Sequence, residues 1–224
     1  MKKYLSLLFC LCMIFPLAAC GNSSAGTDSK AGNVKKSSGT SEQSSGVEAS
    51  DDTKILIAVF SRADENYSVG TVEKGSTRIL AEMIAEETGG RLFNIERAVP
   101  YPAAYDACTE EAKKEQDENA RPALREDIDI SNYDVIFLGY PNWWGDMPMP
   151  VYTFLEAHDF AGKIVVPFCT HAGSGLSGTE TSIAGITGAA VRKGLAVPGT
   201  TAHNSQAEAG KRVREWLSGL NLPK

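Results

Sequence analysis

Lys54-Ile-Leu-Ile-Ala-Val-Phe60 is a continuous apolar run of strand length. A run without polar alternation has no solvent face, so it predicts a strand buried on both sides, as in a parallel sheet covered by helices. Asp134-Val-Ile-Phe-Leu-Gly139 and Lys163-Ile-Val-Val-Pro-Phe-Cys169 are runs of the same kind, and Arg91 to Ile95 and Leu195 to Val197 are shorter ones. Helical stretches fall between them. Ser76 to Thr88 carries Ile79, Leu80, Met83 and Ile84 at helical spacing and stops at Gly89-Gly90. Ala103 to Asn119 is a polar helix bounded by Pro102 and Pro122, and Pro148 to Ala157 begins with prolines that suit a first turn. Further helices are expected near Ile183 to Lys193 and over Ser205 to Leu217. Strands interleaved with helices make an α/β domain, in which ligands sit beyond the carboxyl ends of the strands at a topological switch point. Chemistry is therefore expected in the loops after Phe60, Gly139 and Cys169.

The N-terminal part is of another kind. Lys2 and Lys3 precede a short apolar run, Tyr4 to Phe15, which is too short for a comfortable membrane span. Leu17-Ala18-Ala19-Cys20 follows and resembles a bacterial lipobox, in which the Cys is lipidated. The other reading is a plain secretory signal with an incidental Cys. Gly21 to Asp52 is rich in Ser and Gly and has no apolar period, so it is expected to be a disordered tether reaching roughly 30 Å. The expected organisation is a signal peptide over 1–19, lipidated Cys20 with its tether over 20–52, and a folded domain over 53–224. The expected location is the extracytoplasmic face of the cell membrane, with the lipid as the sole membrane contact.

Composition narrows the functional classes. The 224 residues are 42% hydrophobic and 22% charged, which fits a globular domain. The net charge is −6, and loss of Lys2 and Lys3 makes it −6 − 2 = −8, so nucleic-acid phosphate is not an expected partner. The five Cys include no CxxC and no Cys/His cluster, which argues against a metal site. Cleavage leaves Cys108 and Cys169, expected to be buried and free rather than paired.

Each of the three loops has two readings. Ser61 opens the first directly off a strand, and Gly75-Ser76-Thr77 closes it at a helix start. The helix N-terminus and its hydroxyls can cradle a phosphate, or Ser76 or Thr77 can simply cap the helix. The second loop is Tyr140-Pro141-Asn142-Trp143-Trp144-Gly145-Asp146. One indole can stack on a flat ligand while Asn142, Gly145 and backbone N–H groups bind its edge, or both indoles can pack as core. The third, Thr170-His171-Ala172-Gly173-Ser174-Gly175, lets backbone approach a ligand closely, or is a flexible loop with a solvated His171.

Taken together the loops resemble those of the flavodoxin-like family, over Lys54 to about Leu220. Ser61 and Gly75-Ser76-Thr77 are similar to the two ends of the family's phosphate loop. Asn142-Trp143-Trp144-Gly145 is similar to the loop over the flavin ring, and Thr170-His171-Ala172-Gly173 to the loop along its pyrimidine edge. The resemblance implies a doubly wound, five-stranded parallel sheet of order 2-1-3-4-5 with helices on both faces. It implies FMN held by Ser61, Arg62, Gly75, Ser76, Thr77, Pro141, Asn142, Trp143, Trp144, Gly145, Thr170, His171, Ala172 and Gly173, with Trp144 ahead of Trp143 as the stacking residue. The chain departs from the family pattern in one place. Thirteen residues, Arg62 to Lys74, stand where the family usually has two. Arg62, Asn66 or Lys74 can add phosphate donors there, or the segment can form a lid. Thr187-Gly188-Ala189-Ala190 lacks the leading Asp and final Thr of a covalent flavin-attachment motif, so non-covalent FMN is expected.

The function this implies is electron transfer to a redox partner protein or a small electron acceptor. An NAD(P)H-dependent FMN reductase of quinones or nitro compounds is the alternative on the same fold. A flavin-free binding domain is a third reading, because a fold does not fix a function.

Overall fold

A computed structural model of the chain describes residues 53–223. The expected signal peptide, the lipidated Cys20 and the tether up to residue 52 lie outside the described residues. The element order is β1 (Ile55–Val59), β2 (Asp64–Asn66), β3 (Gly70–Val72), α1 (Ser76–Thr88), β4 (Arg91–Asn94), α2 (Tyr105–Asp117) and β5 (Val135–Pro141). It continues with α3 (Met149–Ala157), β6 (Ile164–His171), α4 (Thr179–Thr187), β7 (Ala190–Val191), β8 (Leu195–Pro198), α5 (Gly199–Asn204) and α6 (Gln206–Ser218).

The main sheet runs β4-β1-β5-β6, with β7 and β8 both paired to the outer edge of β6. Every pairing in it is parallel. This is the order 2-1-3-4-5, with the fifth position filled by two short pieces. Alternate residues of the continuous apolar runs enter opposite cores. Leu56, Ala58, Ile136 and Leu138 join Phe154, Leu155 and Ile183 of α3 and α4 on one face. Ile57, Val59, Val135 and Phe137 join Leu80, Ile84, Ala202, Ala209 and Val213 of α1, α5 and α6 on the other. Gly139 of β5 has no room for a side chain, because a Cβ there would overlap the Phe168 ring of β6.

Four features differ from the sequence reading. The helix expected over Ile183 to Lys193 ends at Thr187. Gly188 caps it in the left-handed region at φ 64°, its N–H donating to the Ala184 carbonyl at 2.9 Å, and frees Ala190–Val191 to pair with β6. The single strand expected at Leu195 to Val197 is thus only half of the fifth position. A short helix, α5, precedes the closing helix. The thirteen-residue segment is an antiparallel hairpin, β2 with β3, separate from the main sheet. Cys108 and Cys169 are buried and free.

Candidate functional site

β1, β5, β6 and β8 all end toward one cavity of about 680 Å³. This lies within the range of small-molecule sites, about 300–1,000 Å³. All the residues expected at the site line it except Gly75 and Gly145, which shape the turns beside it.

Gly75 is the N-cap of α1 and carries no side-chain cap. A Cβ there would overlap the Arg62 carbonyl and Ser61 Oγ, so the chain passes itself too closely for any other residue. The cap comes from Ser61, whose Oγ accepts the Arg78 N–H at 3.0 Å, and not from Ser76 or Thr77. Ser76 Oγ donates to the Gly199 carbonyl at 3.1 Å. Thr77, 2% exposed, shares a hydroxyl–hydroxyl bond of 2.6 Å with Thr170, which ties the first loop to the third. A first helical turn has no intrahelical acceptors for its N–H groups. With Arg78 served by Ser61 and Ile79 by the Gly75 carbonyl, the Ser76 and Thr77 N–H groups remain for a ligand.

The expected extra donors from the hairpin are mostly spent elsewhere. Arg62 Nη2 donates to the Pro102 carbonyl at 2.7 Å and to the Ala103 carbonyl, and Nη1 donates to the Glu65 carbonyl. Its Nε is buried without a partner. Asn66 Nδ2 serves the carbonyls of Arg62, Ala63 and Asp64. Lys74 pairs with Glu82 at 2.7 Å and does not line the cavity.

The adjacent tryptophans separate into different roles. Trp143 exchanges backbone hydrogen bonds with Asp146 at 2.9 and 3.0 Å, closing a tight turn. Its central residues, Trp144 and Gly145, have φ 54° and 79°. Positive φ at both positions marks a type I′ turn, which a Trp occupies only at a cost. The turn drives Trp144 outward to 57% exposure, where its Nε1 donates to the Thr109 carbonyl of α2 at 3.3 Å. Trp143 turns inward and meets Phe60 and Tyr101 edge-on at 5.4 and 5.3 Å. Trp143 therefore packs against aromatic neighbours at the cavity wall, and Trp144 is the indole left exposed beside the cavity.

Asn142 holds the third loop in place, its Nδ2 donating to the Gly175 carbonyl at 2.8 Å and to Ser177 Oγ at 2.9 Å. His171 Nδ1 accepts the Gly173 N–H at 2.9 Å, which assigns the proton of the neutral ring to Nε2. Partial burial lowers the His171 pKa and favours that neutral form. Burial pushes the Cys169 thiol up to about 12, so it is inert packing under the loop.

The sequence reading missed one wall. Tyr67, Ser68 and Val69 of the hairpin turn, Tyr105, Cys108, Thr109 and Ala112 of α2, and Pro198 to Thr200 also line the cavity. Tyr105, Cys108 and Ala112 recur at helical spacing in an otherwise polar helix, and that stripe was the available signal.

A family model described as Flavodoxin matches residues 54–216. The chain belongs to the flavodoxin family, and its fold is that of flavodoxin-like flavoproteins. A structure from Bacteroides eggerthii assigned as a flavoprotein is 29% identical, with a TM-score of 0.61, covering 77% of this chain and all of its own. A similarly assigned protein of Bacteroides uniformis is 28% identical, with a TM-score of 0.59, covering 74% of this chain and 98% of its own. A Lactobacillus acidophilus flavoprotein solved in complex with FMN is 23% identical, with a TM-score of 0.51, covering 69% of this chain and 99% of its own. No curated protein matches significantly.

Proposed function

We propose that this flavodoxin-family chain binds FMN non-covalently and transfers electrons, anchored by a lipid on Cys20 at the extracytoplasmic face of the membrane. The observation that carries the reading is the gathering of the three loops around one cavity at the strand ends. The residues fit the cofactor in three respects. The first turn of α1 presents unclaimed N–H groups at a point where Gly75 leaves room for nothing larger, which suits a phosphate. Arg62 is the cationic side chain of the lining, and its Nε lacks a partner. Trp144 offers an exposed flat face. The Lactobacillus relative solved with FMN supports the same cofactor.

FMN supplies one- or two-electron chemistry when bound, while the protein orients it and sets its electrostatics. Ser76 and Thr77 N–H groups hold the phosphate, and Ser61 and Thr77 hold the loop that presents them. Trp144 covers the ring and excludes water from one face. Neutral His171 directs Nε2–H as a donor, and the backbone of Thr170 to Gly173 lies along the same edge. No cationic side chain lines that edge, and a chain of net negative charge would disfavour an anionic ring held there. The proposed exchange partner is a redox protein or a small electron acceptor.

The test is the visible absorption spectrum of the purified chain, before and after incubation with FMN and gel filtration. Flavin bands at one FMN per chain support the proposal. A colourless chain that takes up no FMN overturns it.

A further inference from the structure

Trp144 is held with little help from its own side chain. It is largely exposed, makes one long hydrogen bond, to the Thr109 carbonyl at 3.3 Å, and sits at φ 54°. A Trp stays in that region only where its surroundings over-determine it. The two feet of the turn supply that constraint. Trp143 is one foot, its ring set edge-on against Phe60 and Tyr101. Asp146 is the other. Besides its backbone bonds to Trp143, its Oδ1 accepts the Met147 N–H at 2.7 Å. Both of its carboxylate oxygens lie 2.9 Å from the Tyr152 hydroxyl, which donates to them from α3.

Tyr152 is itself held from behind. The Arg121 guanidinium lies over its ring at 4.9 Å, a cation–π contact. Arg121 is fixed in turn by the Glu156 carboxylate, to which its Nε and Nη2 donate at 2.7 and 2.6 Å. Burial, with the Asp146 carboxylate beside it, pushes the Tyr152 phenol up to about 12, so the hydroxyl remains a donor at neutral pH. Neither Asp146 nor Tyr152 lines the cavity, so they act on a bound ring only through the turn. We propose that Tyr152 is a positioning residue for the ring end of the cofactor: by bonding the Asp146 carboxylate it fixes the Trp143–Asp146 turn and keeps Trp144 beside the cavity. The inference rests on the FMN reading for its ligand and on the turn alone for its geometry.

The experiment titrates FMN and riboflavin into the flavin-free parent, Tyr152→Phe, Asp146→Ala and Asp146→Asn, followed by flavin fluorescence. Tyr152→Phe keeps the ring under Arg121 and removes only the donor. It is expected to weaken both flavins equally, by about five- to tenfold, because the turn then populates other conformations. Asp146→Ala is expected to do the same. Asp146→Asn still accepts the Met147 N–H and the Tyr152 hydroxyl, and is expected to bind within about twofold of the parent. Unchanged affinity in Tyr152→Phe, a loss for FMN alone, or Asp146→Asn as weak as Asp146→Ala overturns the proposal. Failure of the parent to bind either flavin is a separate result that overturns the cofactor reading. The turn is then read directly in flavin-free chains carrying Trp143→Phe and Trp216→Phe, which leave Trp144 as the sole tryptophan. Its fluorescence anisotropy is expected to fall when Tyr152→Phe is added, and an unchanged anisotropy overturns the positioning role.

Discussion

Removing either of the adjacent tryptophans is expected to produce opposite phenotypes. In Trp144→Gly the strained left-handed residue is relieved, a gain of about 1 kcal/mol. Against it stand the chain entropy of a new glycine, about 0.5–1 kcal/mol, and an exposed hydrogen bond to Thr109 worth about 0.5–1 kcal/mol. The net change in stability is therefore within about 1 kcal/mol. FMN binding should fall by about 1–3 kcal/mol, roughly 5- to 150-fold, as for other flat ring systems deprived of an aromatic platform. Trp143→Ala removes a half-buried indole and two edge-on contacts, to Phe60 and Tyr101. Full truncation in a core costs about 3–5 kcal/mol, so partial burial points to about 2–3 kcal/mol of stability. Urea denaturation followed by circular dichroism gives the stabilities, and FMN titration followed by flavin fluorescence gives the affinities. Trp144→Gly that destabilises as much as Trp143→Ala, while binding FMN like the parent, refutes the division of roles.

Gly75→Ala is expected to cost about 2–3 kcal/mol and to weaken FMN together with it, because the added methyl overlaps the Arg62 carbonyl and Ser61 Oγ; urea denaturation with and without FMN checks both. The depressed pKa of His171 means that the unfolded chain binds its proton more readily than the fold does. This residue therefore subtracts stability progressively as pH falls through its unfolded value near 6.5 and then through the lower folded one, and imposes no cost above both. Denaturation midpoints between about pH 5 and 8 should fall less on acidification in His171→Gln than in the parent. For the proposed anchor, Cys20→Ser should abolish incorporation of labelled palmitate and release the chain from membranes; continued labelling would contradict the lipid attachment.

The parts of the fold legible in the sequence are those whose signal is local. β5 and β6 are continuous apolar runs flanked by helices, and burial on both faces allows few other readings. α1 carries its apolar period and its Gly89 stop within one stretch. β7 escapes because a two-residue strand has no period, and it exists only because Gly188 ends α4 early. α5 begins with Gly199-Thr200-Thr201, poor helix formers held in place by tertiary packing of Ala202. The β2–β3 hairpin has polar strands of three residues, and long-range ties to Ala103 and Tyr105 fasten it. The site shows the same division. Its three strand-end loops are readable because their position in an α/β sheet assigns them a task. That Ser61 caps α1, or that Thr77 bonds Thr170, depends on contacts 17 and 93 residues apart in sequence. Which tryptophan packs inward and which stays exposed depends on the turn type, and two identical neighbouring side chains do not reveal it.

The proposed function places the two ends of one FMN at the first turn of α1 and at the Trp144 loop. Its most direct measurement is an equilibrium titration of the flavin-free chain with FMN and, in parallel, with riboflavin, followed by tryptophan and flavin fluorescence. The account predicts one FMN per chain, mutual quenching that is lost in Trp144→Gly, and no response from Trp216, which packs on Phe137 under α6. It also predicts that riboflavin binds more weakly by a few kcal/mol, at about 1.5–3 kcal/mol for each charge-assisted bond to the missing phosphate. Equal affinity for the two flavins, or FMN affinity undiminished in a folded Trp143→Ala/Trp144→Ala double variant, would contradict it.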